Sequence, residues 1–242
     1  MANVSKLSSK EFAASRLPLY HGTTVRIRIG SSNHEFEVSK DLLCKESAYF
    51  RAMFEGNFPE KEQQSVTMES VEGVVSVQSF EALMQWFYMH KIHFDSKIPG
   101  DQISAVIELI RLADMCNITG MDTEMAQYIK DILVANPDPR NSRTYGTRIA
   151  DTNTHCLTSQ HIISATFLPQ GHPVRRSLAA ASVEGYLRTG NYKFRKETHE
   201  HPAFGADLLY EVRLALNGSR QEKRSTIIRD PISGLDITLG MD

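Results

Sequence analysis

The residues best equipped for chemistry are nine histidines and the three cysteines Cys44, Cys116 and Cys156, and their spacing argues against the reactions they could perform. His90-x-x-His93 and His199-x-His201 each bring two imidazoles together. A structural zinc site, however, needs four ligands in tetrahedral reach and commonly takes them from Cys-x-x-Cys pairs, and the chain has no such pair. These groups read as surface histidines and buried thiols, so no metal or other cofactor is expected. Cys44 has no identifiable activating base, and neither a Gly-x-Ser-x-Gly elbow nor a His-Glu-x-x-His helix occurs. No catalytic residue is assigned and the chain is not expected to be an enzyme. Gly185 and Gly190 have the spacing of a phosphate loop, but Asn191-Tyr192 stands where Lys-Ser/Thr is required and the pair ends a helical pattern instead of opening one.

Charge narrows the partners. Lys plus Arg number 27 and Asp plus Glu 29, a net charge of -2, so no global field draws the chain to nucleic acid or to anionic membranes. Direct nucleic-acid binding is not expected. The basic cluster Arg220, Lys223, Arg224 and Arg229 reads as a solvated tail, with a nuclear address or a nucleic-acid contact as the sharper alternative. An odd number of well-separated cysteines suits a reducing compartment. The first twenty residues lack the apolar run of a signal peptide, and no stretch approaches the roughly 20 apolar residues of a membrane span. The expected location is the cytoplasm or nucleus, with no membrane partner.

The elements that would position these groups follow from periodicity. Residues 1–20 read as a mobile tail, with Ser8 or Ser9 able to cap a short helix over Lys10 to Arg16. Val25, Ile27 and Ile29 alternate with Arg26 and Arg28, and Phe36 and Val38 continue the period of two after a Gly30 turn, predicting a hairpin. Ser39 and Ser47 are placed to cap two short helices, the second presenting Phe50, Met53 and Phe54 inward. A polar loop, residues 55–64, leads to a third strand with Val66 and Met68. Phe80, Leu83, Met84, Phe87 and Tyr88 form one helical stripe. Residues 101–116 carry apolar residues on two sides, predicting a helix between neighbours. Met121, Met125, Tyr128, Ile129 and Ile132 give another helix. Residues 135–154, rich in Asn, Asp, Pro, Arg and Thr, read as a linker. Three more helical patterns follow, at 159–167, 173–188 and 202–216. Arg175 and Arg176 near the start of the middle one oppose the helix dipole. Residues 219–242 read as a mobile tail.

The stretches 25–70 and 79–94 carry, in order, a strand and glycine, Phe36-x-Val38 leading into a capped helix, Ser47-Ala48-Tyr49-Phe50-Arg51-Ala52-Met53-Phe54, a strand and a long aromatic helix. That order resembles the BTB/POZ family, and residues 108–129 are similar to the paired helices that complete its domain. The resemblance implies an α+β fold, a small and mainly three-stranded sheet flanked by a cluster of helices, over residues 21–134. Residues 155–218 would form an all-α C-terminal extension, whose stretch 157–196 resembles that of short fungal proteins of the family. Ser39 stands where the family often has histidine, and Tyr88-Met89-His90 where it has Tyr-Thr-Gly. Thr24 replaces an acidic residue that shapes a charged pocket in some members, so that pocket is not carried over.

The family also supplies partners. It implies protein-protein interaction, with self-association into a homodimer, for which only Lys10 to Arg16 offers the N-terminal helix that dimers of the family bury. Phe58-Pro59-Glu60 lies where cullin-binding members carry a hydrophobic-x-Glu motif, so Phe58 and Glu60 are the candidate cullin-contact residues. An exposed aromatic beside a carboxylate suits an interface anchor with a polar partner; otherwise Phe58 folds back and Glu60 is solvated. The implied role is to bridge a client to a cullin-type ubiquitin ligase, with a nuclear transcriptional co-regulator as the alternative.

Overall fold

The computed structural model describes residues 9–30, 34–139, 151–222 and 225–240. They divide into two compact units, the first comprising residues up to 95 with 108–120, the second 96–107 with 121 onward.

In the first unit, β1 (Thr24–Ile29) is the central strand of a sheet ordered β2-β1-β3. It pairs antiparallel with β2 (Glu35–Ser39), in register Ile27 opposite Phe36, and parallel with β3 (Ser65–Met68), in register Ile27 opposite Val66. The alternation is visible in burial: Val25, Ile27 and Ile29 are inside while Arg26 and Arg28 face out. Gly30 ends β1 at φ +56°, where any side chain would meet Ser70, so glycine alone fits the turn. A parallel return needs a crossover, and it is made by α2 (Lys40–Glu46), α3 (Ala48–Glu55) and α4 (Glu60–Gln63). Both serine caps form as expected: Ser39 Oγ accepts from Leu42 N–H at 3.3 Å and Ser47 Oγ from Phe50 N–H at 3.1 Å. The polar loop of 55–64 therefore contains a helical turn. Phe50 and Phe54 are fully buried, whereas Met53 is only half-buried and turns toward the surface.

The long helix α5 (Val77–Met89) is capped by reciprocal hydrogen bonds between Ser76 and Ser79. Its core stripe is Phe80, Leu83, Trp86 and Phe87; Tyr88, expected inside, is 39% exposed and stacks on Tyr20 at 5.5 Å. That contact corrects the expectation of a mobile tail over 1–20, of which residues 1–8 lie outside the described residues. Helix α1 (Ser9–Ser15) and a 3-10 turn at Leu17–Tyr20 are held to the unit because Arg16 is buried in an ion pair with Glu46, Ser39 Oγ donates to the Leu19 carbonyl, and Lys45 Nζ donates to the Ser15 carbonyl.

Helix α6 (Pro99–Met115) is divided between the units after Ile107. Its two apolar sides are both buried, with Ile103, Val106 and Ile107 counted in the second unit and Leu109, Leu112 and Ala113 in the first.

The second unit also holds α7 (Asp122–Ala135), α8 (Ser159–Ala165), α9 (Pro173–Ala181), α10 (Val183–Arg188), α11 (Arg195–Glu200) and α12 (Pro202–Asn217). Helix α9 packs on α7 and on α12. The adjacent arginines explain the second contact: Arg175 Nε donates to Asp207 Oδ2 and Arg176 Nε to Glu211 Oε1, each at 2.8 Å, so two neighbouring cations on α9 meet two carboxylates one turn apart on α12. Arg175 is buried and also donates to the Leu168 and Ala203 carbonyls.

Two expectations fail in this unit. The single helix over 173–188 is broken at Ser182, whose Oγ donates back to the Leu178 carbonyl, a competing bond that favours bending. Residues 219–242, expected as a mobile tail, contain an antiparallel meander of β4 (Arg220–Glu222), β5 (Ser225–Arg229) and β6 (Asp236–Gly240). Ile228 and Ile237 are opposite one another and fully buried. The β5–β6 turn is organised by buried Asp230, whose carboxylate accepts from Ser233 N–H and Oγ and from Asn153 Nδ2. Of the expected linker 135–154, residues 140–150 lie outside the described residues. On its flanks Asp138 N–H donates to the Thr152 carbonyl at 3.1 Å and Thr152 N–H donates to Glu184 at 3.0 Å.

Candidate functional site: an apolar groove beside helix α3

The local chain from Phe54 to Ser65 decides where the candidate residues sit. Helix α3 ends at Gly56, whose N–H donates to the Ala52 carbonyl at 2.9 Å; a Cβ there would lie 2.2 Å from that oxygen, so glycine is needed for so tight an exit. Phe58 follows immediately, and Pro59 starts α4 by accepting from Gln63 N–H through its carbonyl. Glu60 is thereby the first residue of a helical turn in which the Lys61 N–H donates to the Phe58 carbonyl and the Glu62 N–H to the Pro59 carbonyl, each at 3.1 Å.

Phe58 is 57% exposed and Glu60 half-buried. Together with Tyr49, Ala52, Met53 and Asn117 they line an open groove of about 500 Å³. The structure thus brings the two expected residues to one surface. It adds Tyr49, Met53 and Asn117, which sequence reasoning did not assign. Met53 carries a readable signal, since it shares the Phe50–Phe54 helix, but helical spacing alone groups it with the inward face. Asn117 adopts φ +52°, a conformation that asparagine tolerates better than most residues, and no local motif marks it. The Tyr49 phenol is pushed above its usual range, first by burial and then by the repulsion its anion would meet from a Cys116 thiolate and from Glu60. Tyr49 therefore stays a neutral donor at the groove wall, beside an apolar floor suited to a hydrophobic side chain.

The other residues singled out by type fall elsewhere. Cys44 and Cys116 are buried, and burial pushes their thiols up to about 11 and about 12. That is opposite to the shift that activates a nucleophile. His90 ends α5 at φ +49° and packs on Trp86 at 5.1 Å; among the described residues no group of three or more His, Cys, Asp or Glu side chains could hold a metal ion. In the basic cluster, Arg220 pairs with Asp236 at 2.9 Å and Arg229 Nε donates to the Gly234 carbonyl at 3.0 Å, both within the β4–β6 sheet; Lys223 and Arg224 lie outside the described residues. Gly185 lies inside α10, where a Cβ would lie 2.9 Å from the Asp151 side chain, so its role is to let that non-helical segment approach the helix. Among the described residues no helix is long and apolar enough to cross a membrane.

Comparison with protein families agrees with the sheet, its crossover helices and α5. The sequence model of the BTB/POZ domain matches residues 17–133, from the 3-10 turn before β1 into the last turn of α7. No curated protein matches the chain. BTB/POZ domains are protein-protein interaction modules, and residues 17–133 form a domain of that family.

Proposed function

We propose that the protein is a non-enzymatic adaptor of the cytoplasm or nucleus that docks on the N-terminal domain of a cullin-type ubiquitin-ligase scaffold through the groove beside α3. The observation that carries this reading is the exposure of Phe58 at the mouth of an apolar groove that also contains Glu60. An aromatic ring 57% exposed beside a half-buried carboxylate has the form of an interface anchor: large apolar area, few rotamers, and one polar group to fix orientation. The raised thiols of Cys44 and Cys116 support a binding role over a nucleophilic one. The three cysteines, all unpaired, suit a reducing compartment. Self-association belongs to the same reading, with α1 as the helix available to a second copy. Calorimetry of the full chain against a cullin N-terminal domain tests the docking: saturable binding that Phe58→Ala plus Glu60→Ala removes is the expected result, and no heat with the wild type refutes it.

A further inference from the structure

Glu60 also lines a second site, a polar depression of about 210 Å³ on the outer face of the β2-β1-β3 sheet, with Arg26, Arg28, Glu35, Ser65 and Thr67 among its other walls. Three features there point the same way. First, β3 is an edge strand. Its bonds to β1 include Arg26 N–H to the Gln64 carbonyl at 3.0 Å and Gly30 N–H to the Met68 carbonyl at 2.7 Å, so residues 64, 66 and 68 turn their backbone groups to β1. By the alternation of a parallel ladder, Ser65 and Thr67 turn N–H and C=O to the open edge. Second, the register sets Arg26 beside Ser65 and Arg28 beside Thr67, so these side chains share the outer face. Ser and Thr are short, which leaves the arginines room to reach across β3. Third, the two cations are not equivalent: Arg28 is paired with Glu35 at 2.8 Å, whereas Arg26 has no ion pair among the described residues.

We propose that the open edge of β3 takes an extended segment of a partner protein by strand addition, with one Asp or Glu of that segment facing Arg26. The edge supplies two donors and two acceptors from Ser65 and Thr67, and the unpaired guanidinium supplies the register. Glu60 and the engaged Glu35 border the depression and disfavour a polyacidic segment, so the partner chemistry is a single carboxylate between uncharged residues. A second copy of β3 would bring no carboxylate from within its own four residues, Ser65 to Met68, to Arg26. This surface shares only Glu60 with the groove and does not rest on the cullin reading.

The test uses the full chain and fluorescein-labelled, end-capped eight-residue peptides that alternate valine and threonine. One threonine is replaced by aspartate at each outward position in turn, and fluorescence anisotropy is the readout. At least one peptide should bind saturably. Arg26→Glu should weaken it at least tenfold, and a lysine version of that peptide should prefer R26E to the wild type. Thr67→Pro removes only an outward N–H, a change that edge strands tolerate, and should abolish binding while circular dichroism stays unchanged. Phe58→Ala should leave binding intact, which separates this site from the groove. No saturable binding by any peptide, equal binding by R26E, or dimerisation of the chain through β3 that T67P removes would each overturn the proposal.

Discussion

Replacing Phe58 by alanine separates what the ring does for the fold from what it does for a partner. The ring is 57% exposed, and a phenylalanine presents about 200 Å², so a partner that covers it removes about 110 Å² from water, worth about 3 kcal/mol at 25 cal/mol per Å². The cullin affinity of the proposed interface should therefore fall about 100-fold on Phe58→Ala. Only the already buried fraction of the ring contributes to folding, so the same change should cost stability about 1–2 kcal/mol. Phe54, four residues earlier and fully buried, provides the contrast, because Phe54→Ala leaves a core cavity and should cost about 3–5 kcal/mol. Isothermal titration against the cullin domain gives the first quantity and urea unfolding the others. A Phe58→Ala protein that binds as well as the wild type, or that is destabilised as much as Phe54→Ala, would refute the reasoning.

Other substitutions probe the second unit. Arg175→Met leaves Asp207 buried without its partner and should lower stability by about 3–5 kcal/mol, whereas adding Asp207→Leu should restore most of it in a double-mutant cycle by urea unfolding. His161 Nδ1 accepts from Thr158 N–H at 3.1 Å while Nε2 lies 2.8 Å from Ser104 Oγ, so the neutral ring is the one the fold uses. Burial, chiefly, holds its pKa below the usual 6.5; Lys193 lowers it further, while Gly100 and Asp101 act the other way. The unfolded state thus takes up the proton first, and stability should decline as pH falls below 6.5 and level off once the folded ring protonates. His161→Gln should flatten that part of the pH–stability curve. Asp230→Ala removes the acceptor at the β5–β6 turn, and hydrogen exchange should show protection lost over Ile227 to Leu239 while the β1 amides keep theirs.

What could be read from the sequence was local. Ser39 and Ser47 cap helices because an extended serine before an apolar turn has one good use for its hydroxyl, and the Val25–Ile29 alternation has one buried face in any sheet. The α5 stripe was less decidable: Met84 and Tyr88 fit helical spacing as well as Trp86 does, and only packing selects among them. Helix α11, with the sequence Arg-Lys-Glu-Thr-His-Glu, has no apolar period at all. The β4–β6 meander escaped because its strands are short and its stabilising contacts are distant in sequence; Asn153 and Asp230 are 77 residues apart. For the groove, the Phe58 and Glu60 positions were legible through the family resemblance. Asn117 reaches the same wall from the far end of α6, which no spacing rule reports.

The placement of α7 bears on how this protein can be divided. Its sequence falls within the family match, yet Met125, Ala126, Ile129 and Leu133 are buried in a unit where α9 lies against the helix and Ser177 Oγ donates to the Ala126 carbonyl. Cutting the chain after residue 133 would keep every residue the family recognises and strip α7 of its neighbours. The heritable boundary and the mechanical boundary are therefore different places, and a fragment trimmed to the first would expose apolar surface that the intact chain never shows.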